Sequence, residues 1–139
     1  MRKAVPLLLL ALICIVLVSG CFSQPANVKI TQDSLSPETL KSGQTAVLFV
    51  NAENYENKEV GPVVLVIEIK SEDAPYLIAN PQTLPIPNNL KAGESIGKKS
   101  FNITATLPAG ESLVFKFNAK VLVNGTKTDS KEYTLTVTK

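Results

Sequence analysis

The C-terminal end of this 139-residue chain alternates apolar and polar side chains with a period of two, as a β-strand with one buried face requires. The alternating segments flank Asn124-Gly125, a dipeptide that favours a type I′ turn because both residues tolerate a positive φ. The sequence therefore predicts a long antiparallel hairpin. Its inward positions are Leu113, Phe115, Phe117, Ala119, Val121 and Val123, and, after the turn, Tyr133, Leu135 and Val137.

Shorter strands are predicted upstream. Ser36-Pro37 interrupts a first strand that starts at Val28, and Gly43 opens a second one, which ends in the turn-forming residues 51–54. Val63–Ile69 is almost continuously apolar, which favours a central strand covered on both faces. Pro85 and Pro87 confine any strand in the irregular segment 71–95 to a sheet edge, because proline lacks an N–H. A further strand alternates through Phe101, Ile103, Ala105 and Leu107.

About seven strands without an amphipathic helix predict an all-β fold, an Ig-like antiparallel β-sandwich over residues 27–139. A closed barrel is less favoured, because the prolines of residues 71–95 would interrupt its closure. Of the two cysteines, Cys14 lies in the apolar leader, so the sandwich is expected to hold without a disulfide.

The first 20 residues differ in composition from the rest. Arg2 and Lys3 precede an apolar run over residues 4–18, which as a helix would span about 22 Å and fall short of a bilayer core of about 30 Å. This length predicts a signal peptide over residues 1–20. An uncleaved anchor helix that runs on through Cys21 is the alternative.

The run ends in Val18-Ser19-Gly20-Cys21, which resembles the lipobox of prokaryotic lipoproteins. The resemblance implies cleavage before Cys21 and attachment of diacylglycerol to its thiol, with residues 21–26 as lipidated Cys and tether. Two long acyl chains anchor a protein stably, since each buried methylene contributes about 0.8 kcal/mol. The expected location is the outer face of the cytoplasmic membrane or the cell surface.

Three local motifs between Pro37 and Val123 resemble the CARDB-like and related Ig-like modules of bacterial and archaeal surface proteins. They are Lys41-Ser42-Gly43-Gln44 leading an alternating strand that ends near Asn54, the apolar strand Val63–Ile69, and the turn Leu90-Lys91-Ala92-Gly93-Glu94. The resemblance implies a sandwich fold and a surface role in adhesion, spacing or presentation. It implies no catalytic residues.

Composition argues against several chemistries. The chain has no His, so the commonest general base and metal ligand are missing. Arg2 and Lys3 account for its excess of 14 basic over 12 acidic side chains, so the remainder is neutral and is not expected to bind nucleic acid. The acidic loop of Glu53, Glu56 and Glu59 lacks the spacing of a calcium loop. We therefore expect no enzyme activity, catalytic residue, metal or cofactor.

Two kinds of candidate site remain. Asn102-Ile103-Thr104 and Asn124-Gly125-Thr126 are sequons, which make Asn102 and Asn124 candidate glycosylation sites. Tyr76-Leu77-Ile78, in the proline-rich segment, is a candidate contact loop, because long loops on rigid sandwiches often carry function. The alternative places Tyr76, Leu77 and Ile78 in a strand packed against the core.

The function expected from these features is that of a lipid-anchored extracytoplasmic lipoprotein. It would act as a non-catalytic binding or structural module of the cell envelope, with an envelope protein or glycan as partner. An accessory subunit of a membrane complex is the alternative, and an envelope hydrolase is the least favoured reading.

Lipidation of Cys21 has a direct test. Mass spectrometry of the protein purified from membranes of its native host is expected to show a chain that begins at Cys21 and carries the mass of a diacylglycerol thioether. An unmodified Cys21 in a chain that retains Met1 would contradict the lipoprotein assignment.

Overall fold

The computed structural model describes residues 24–139, which form two packed β-sheets. The first sheet has the strand order β1-β3-β7-β5 and the second the order β2-β9-β8-β4-β6. Every strand pair is antiparallel except β2 with β9. The strands are β1 (Val28–Ser36), β2 (Thr39–Lys41), β3 (Thr45–Asn54), β4 (Val63–Ile69), β5 (Leu77–Asn80), β6 (Thr83–Pro85), β7 (Lys99–Ala105), β8 (Ser112–Val123) and β9 (Thr126–Thr138).

The all-β sandwich predicted from the sequence is confirmed, but the described residues contain nine strands where about seven were expected. The two additional strands are β2 and one of the pair β5 and β6, where a single edge strand was expected, and all three have only three or four residues, too few for a period of two to stand out. Pro85 ends β6 at the edge of the second sheet, as its missing N–H requires.

The predicted C-terminal hairpin is confirmed. β8 and β9 pair from Ser112–Thr138 to Val123–Thr126, with one irregularity after Val121. The turn residues Asn124 and Gly125 have φ values of 51° and 79°, the left-handed conformations that a type I′ turn needs.

The core lies between the sheets, and its largest fully buried side chains are Phe101, Phe115 and Phe117. Burying a side chain of this size stabilises the fold by about 1.5–3 kcal/mol. Phe117 and Tyr133 face each other across the β8–β9 ladder with ring centroids 5.6 Å apart, so the hairpin carries its own aromatic pair.

Three local expectations were wrong. β4 is a central strand, as predicted, but it fully buries only the face of Val63, Leu65 and Ile67, because its other face lies on the outside of the sandwich, where Val64 and Val66 are half-buried. Residues 51–54 are not a turn but the last four residues of β3, which ends at Asn54. Leu113 is 38% exposed, because β8 pairs with β4 only as far as Phe117 and its first residues extend past the core.

The sandwich has two ends. The tether end, where the described chain enters, contains the start of β1 at Val28, the end of β3 at Asn54 and the β8–β9 turn. The distal end contains the start of β8 at Ser112 and the end of β9 at Thr138.

Asn54 is the one buried polar side chain in the described part of the chain, and it joins two loops of the tether end. Its Nδ2 donates to the carbonyl oxygens of Lys58, Leu90 and Lys91 at 2.9–3.1 Å, and its Oδ1 accepts from the backbone N–H of Glu56. The Asn and the Leu-x-x-Gly-Glu turn of the CARDB-like pattern therefore meet in one hydrogen-bonded cluster.

The two sheets also meet along a seam between β1 and β9, which side chains close. The Asp129 carboxylate accepts from the N–H of Ile30 at 2.9 Å, the Thr128 hydroxyl donates to the carbonyl of Val28 at 2.9 Å, and Lys131 pairs with Asp33 at 2.7 Å. The buried Tyr133 hydroxyl beside this seam has no hydrogen-bond partner within residues 24–139. Burial, followed by the negative charge of Asp33, raises its pKa above the usual value.

Replacing Asn54 is expected to destabilise the fold. Asn54→Ala removes the side-chain hydrogen bonds to three carbonyls and one N–H, and only the carbonyls of Leu90 and Lys91 keep a backbone donor. The loss is expected to cost about 2–4 kcal/mol in the free energy of unfolding. Asn54→Asp should cost at least as much, because its carboxylate faces three carbonyl oxygens. Urea denaturation measures both variants, and Asn57→Ala in the exposed part of the same loop is the matched control. Equal stability of Asn54→Ala and the control would refute the role of this cluster.

Tyr133 gives a prediction for alkaline pH. Below pH 10 the hydroxyl is protonated in both states, whereas above it the unfolded chain releases the proton more readily than the folded chain, so stability falls as the pH rises. Tyr133→Phe should flatten this fall and leave stability at pH 7 unchanged or raised by about 1 kcal/mol, because an unsatisfied hydroxyl is removed. Denaturation at pH 7 and above pH 10 checks both, with the exposed Tyr76→Phe expected to behave like the unmodified protein.

Candidate functional site

The predicted contact loop divides between the core and the surface. Leu77 begins β5 and is 1% exposed, so its side chain packs between the sheets and cannot contact a partner. Its neighbours Tyr76 and Ile78 are 37% and 58% exposed. This split follows from the alternation of side chains along a strand, since residues on either side of an inward residue point outward.

The conformation of residues 70–77 positions Tyr76 and Ile78. The carbonyl of Asp73 accepts from the N–H groups of Tyr76 and Leu77, which closes a turn directly before β5. The Tyr76 carbonyl then accepts from the N–H of Thr106 at 2.8 Å, which continues the pairing of β5 with β7. Because β5 pairs only with β7, it is an edge strand of the first sheet.

A second exposed apolar pair lies at the same end of the sandwich, and sequence analysis did not identify it. Leu113 and Val114 are 38% and 53% exposed at the start of β8. β8 pairs with β4 only as far as Phe117, but it pairs with β9 as far as Ser112. The first residues of β8 therefore have a neighbouring strand on one side only. Its exposure depends on where β4 ends beside β8, which the alternation within β8 does not reveal.

Tyr76, Ile78, Leu113 and Val114 are here called the distal apolar residues. They are four of the five large apolar side chains exposed among residues 24–139, and the fifth, Tyr55, lies at the tether end. Side chains of this type bind other proteins through burial of apolar area. Ile78 lies on the outer face of the first sheet and Val114 on that of the second, so the four residues share one end of the sandwich and not one face.

Both sequon asparagines are exposed, but they occupy different settings. Asn102 lies within β7, between Val47 of β3 and Asn80 of β5. Asn124 is at the tip of the β8–β9 turn. Cys21 lies outside the described residues.

The tether end contains a cavity of about 340 Å³, which lies between residues 24–26, the β3–β4 loop and the β8–β9 turn. Its two carboxylates have structural partners elsewhere: Glu56 accepts from the N–H of Asn27 at 2.9 Å, and Glu59 accepts from the Asn89 amide at 3.3 Å. Across residues 24–139, no three Asp, Glu, His or Cys side chains lie close enough together to hold a metal ion. No helix in this range is long and apolar enough to cross a membrane.

Comparison with known proteins was informative only at the level of structure. No protein-family model and no curated protein matches the sequence. The crystal structure of the CARDB domain of a Pyrococcus furiosus protein, in complex with di-metal ions, aligns with 84% of this chain and 96% of its own at a TM-score of 0.51 and 14% identity. A solution structure of the same domain aligns with 82% of this chain and 94% of its own, at a TM-score of 0.50 and 16% identity.

A further similar structure is the sporulation control protein Spo0M from Bacillus subtilis. It has a TM-score of 0.51 and 12% identity, over 84% of this chain and 51% of Spo0M. At such identities the similarity concerns the fold. Residues 24–139 therefore form a CARDB-like, Ig-like β-sandwich.

Proposed function

We propose that this protein is a lipid-anchored, non-catalytic binding module of a prokaryotic cell envelope. A lipid on Cys21 would hold it on the outer face of the cytoplasmic membrane or on the cell surface. The observation that supports this proposal best is the separation of its two ends. The chain enters the sandwich at the tether end, whereas four exposed apolar side chains lie toward the opposite end. A tethered domain that binds a partner away from the membrane needs this polarity.

Dimensions are consistent with such a role. Residues 21–27 span at most about 25 Å when extended, so the tether end would stay close to the bilayer surface. The twelve residues of β8 add about 40 Å, which places Leu113 and Val114 well outside the headgroup region. Distal residues in this position would meet another envelope component before they met lipid.

The chemistry of the described residues supports binding over catalysis. The chain has no His, and the ion pairs Lys116–Glu132 and Lys139–Glu111 join exposed side chains. The metal ions of the Pyrococcus domain are not transferred to this chain, because the part that the structure describes offers no matching group of three ligands.

The binding role can be tested on the full-length protein in native membranes. Ile78→Thr together with Val114→Thr removes apolar area while it keeps β-branched residues in both strands. After cross-linking and gentle solubilisation, the double variant is expected to retain less than about a tenth of the partner held by the unmodified protein, as the loss of about 1.4 kcal/mol implies. Tyr55→Ser, at the tether end, is the matched control and should retain it all.

Equal capture by the double variant and the control would contradict binding through the distal end. A stoichiometric complex that is lost only with Tyr55→Ser would favour an accessory subunit held through the tether end. Cys21→Ser should in either case abolish the acylated form that mass spectrometry detects, and acylation that persists in this variant would contradict Cys21 as the lipid anchor.

A further inference from the structure

The two sequons differ in how an enzyme could reach them in the folded protein. We infer that Asn124 is an N-glycan acceptor of the folded sandwich and that Asn102 is not. This inference takes its setting, outside the cytoplasm, from the proposed function. The difference between the two asparagines rests on the fold alone.

Asn124 lies at the most accessible kind of position in a sandwich, the tip of a two-residue turn. Its backbone N–H donates to the carbonyl of Pro62 at 2.8 Å. Asn124 and Thr126 are both exposed, and within residues 24–139 their side chains take no part in the hydrogen bonds of Thr128, Asp129 and Asn54 that close the nearby seam and loops. The two groups that an acceptor must present, a carboxamide and a hydroxyl two residues later, are therefore exposed.

The surroundings of the turn leave space for a glycan. Asn124 and Thr126 line the rim of the tether-end cavity. The middle residue, Gly125, has open space around it, since a Cβ built there would meet nothing within 4 Å. The local opening of a hairpin tip also requires only a small fraction of the free energy of global unfolding. An enzyme can therefore bind residues 124–126 in its active site while the rest of the sandwich stays folded.

Asn102 is also exposed, but it lies within a strand and not at a turn. The β7 backbone is paired at this residue with β3 on one side and β5 on the other, opposite Val47 and Asn80. The Thr104 hydroxyl is hydrogen-bonded to that of Thr45 at 2.7 Å. Because β7 is an interior strand, presenting Asn102 to an enzyme would break two ladders and expose Phe101 and Ile103, which amounts to unfolding the first sheet.

The reaction is a group transfer from an oligosaccharide carried on a lipid pyrophosphate. The Asn124 Nδ2 forms a bond to C1 of the first sugar, and the bond from C1 to the phosphate oxygen breaks. The lipid pyrophosphate leaves with that electron pair, and the amide proton passes to a base of the transferase. No oxidant or reductant is needed, and the Thr126 hydroxyl remains free to bind the enzyme.

The test uses the folded full-length protein in detergent, a purified oligosaccharyltransferase that requires only Asn-x-Thr, and a lipid-pyrophosphate-linked oligosaccharide. Mass spectrometry of peptides should show at least tenfold higher occupancy at Asn124 than at Asn102. The urea-unfolded chain, diluted into the same reaction, should show occupancies within about twofold of each other. Asn124→Asp should abolish the main product while it keeps a residue that tolerates the left-handed turn.

A second pair of variants separates recognition from folding. Thr126→Ser should preserve glycosylation of Asn124, and Thr126→Val should abolish it, although both are expected to fold as judged by circular dichroism. Equal occupancy of both sites in the folded protein, or none at Asn124, would overturn the inference. Because the assay is independent of export and of Cys21, its failure would leave the proposed function standing.

Discussion

The register of the β8–β9 hairpin is the constraint on which the second sheet depends. Asn124 and Gly125 occupy left-handed conformations, so β8 turns directly into β9 and the two strands pair along their full length. A slip of one residue would set the inward face of one strand beside the outward face of the other, so either Phe115 and Phe117 or Leu135 would turn outward and lose their burial. β4 then pairs with β8, β6 with β4 and β2 with β9, so each remaining strand takes its position from this hairpin.

Polar side chains complete the sandwich where backbone ladders stop. Asn54 satisfies three carbonyls and one N–H at the tether end, and Asp129 and Thr128 bridge the seam between β1 and β9. Buried backbone groups need partners, and side chains supply them where the two sheets meet without a shared ladder. Four of the five large exposed apolar side chains of residues 24–139 lie toward the distal end.

This asymmetry relates the fold to the proposed role. A domain held by a lipid on one side meets partners mainly with its other side, and the exposed apolar side chains of β5 and β8 lie there. The proposed glycan on Asn124 would lie at the tether end, where it would not cover the distal apolar residues. Membrane attachment, glycosylation and partner binding would thus use separate parts of one small sandwich.

The sequence by itself determined the features that depend on near neighbours in the chain. Side-chain alternation, the Asn124-Gly125 turn and the prolines after residue 80 were enough to predict an all-β sandwich, its C-terminal hairpin and an edge strand at Pro85, because each depends on a few adjacent residues. Only the tertiary structure decided that Leu77 is buried between exposed Tyr76 and Ile78, and that Leu113 is exposed. Those outcomes depend on where the neighbouring strands β7 and β4 begin and end. Because these neighbours are far away in the chain, the positions of their ends leave no periodic signal in the sequence around Leu77 or Leu113. The hydrogen bonds of Asn54 and of Thr104 in the Asn102 sequon were likewise decided by the tertiary structure, which brings together groups separated by dozens of residues.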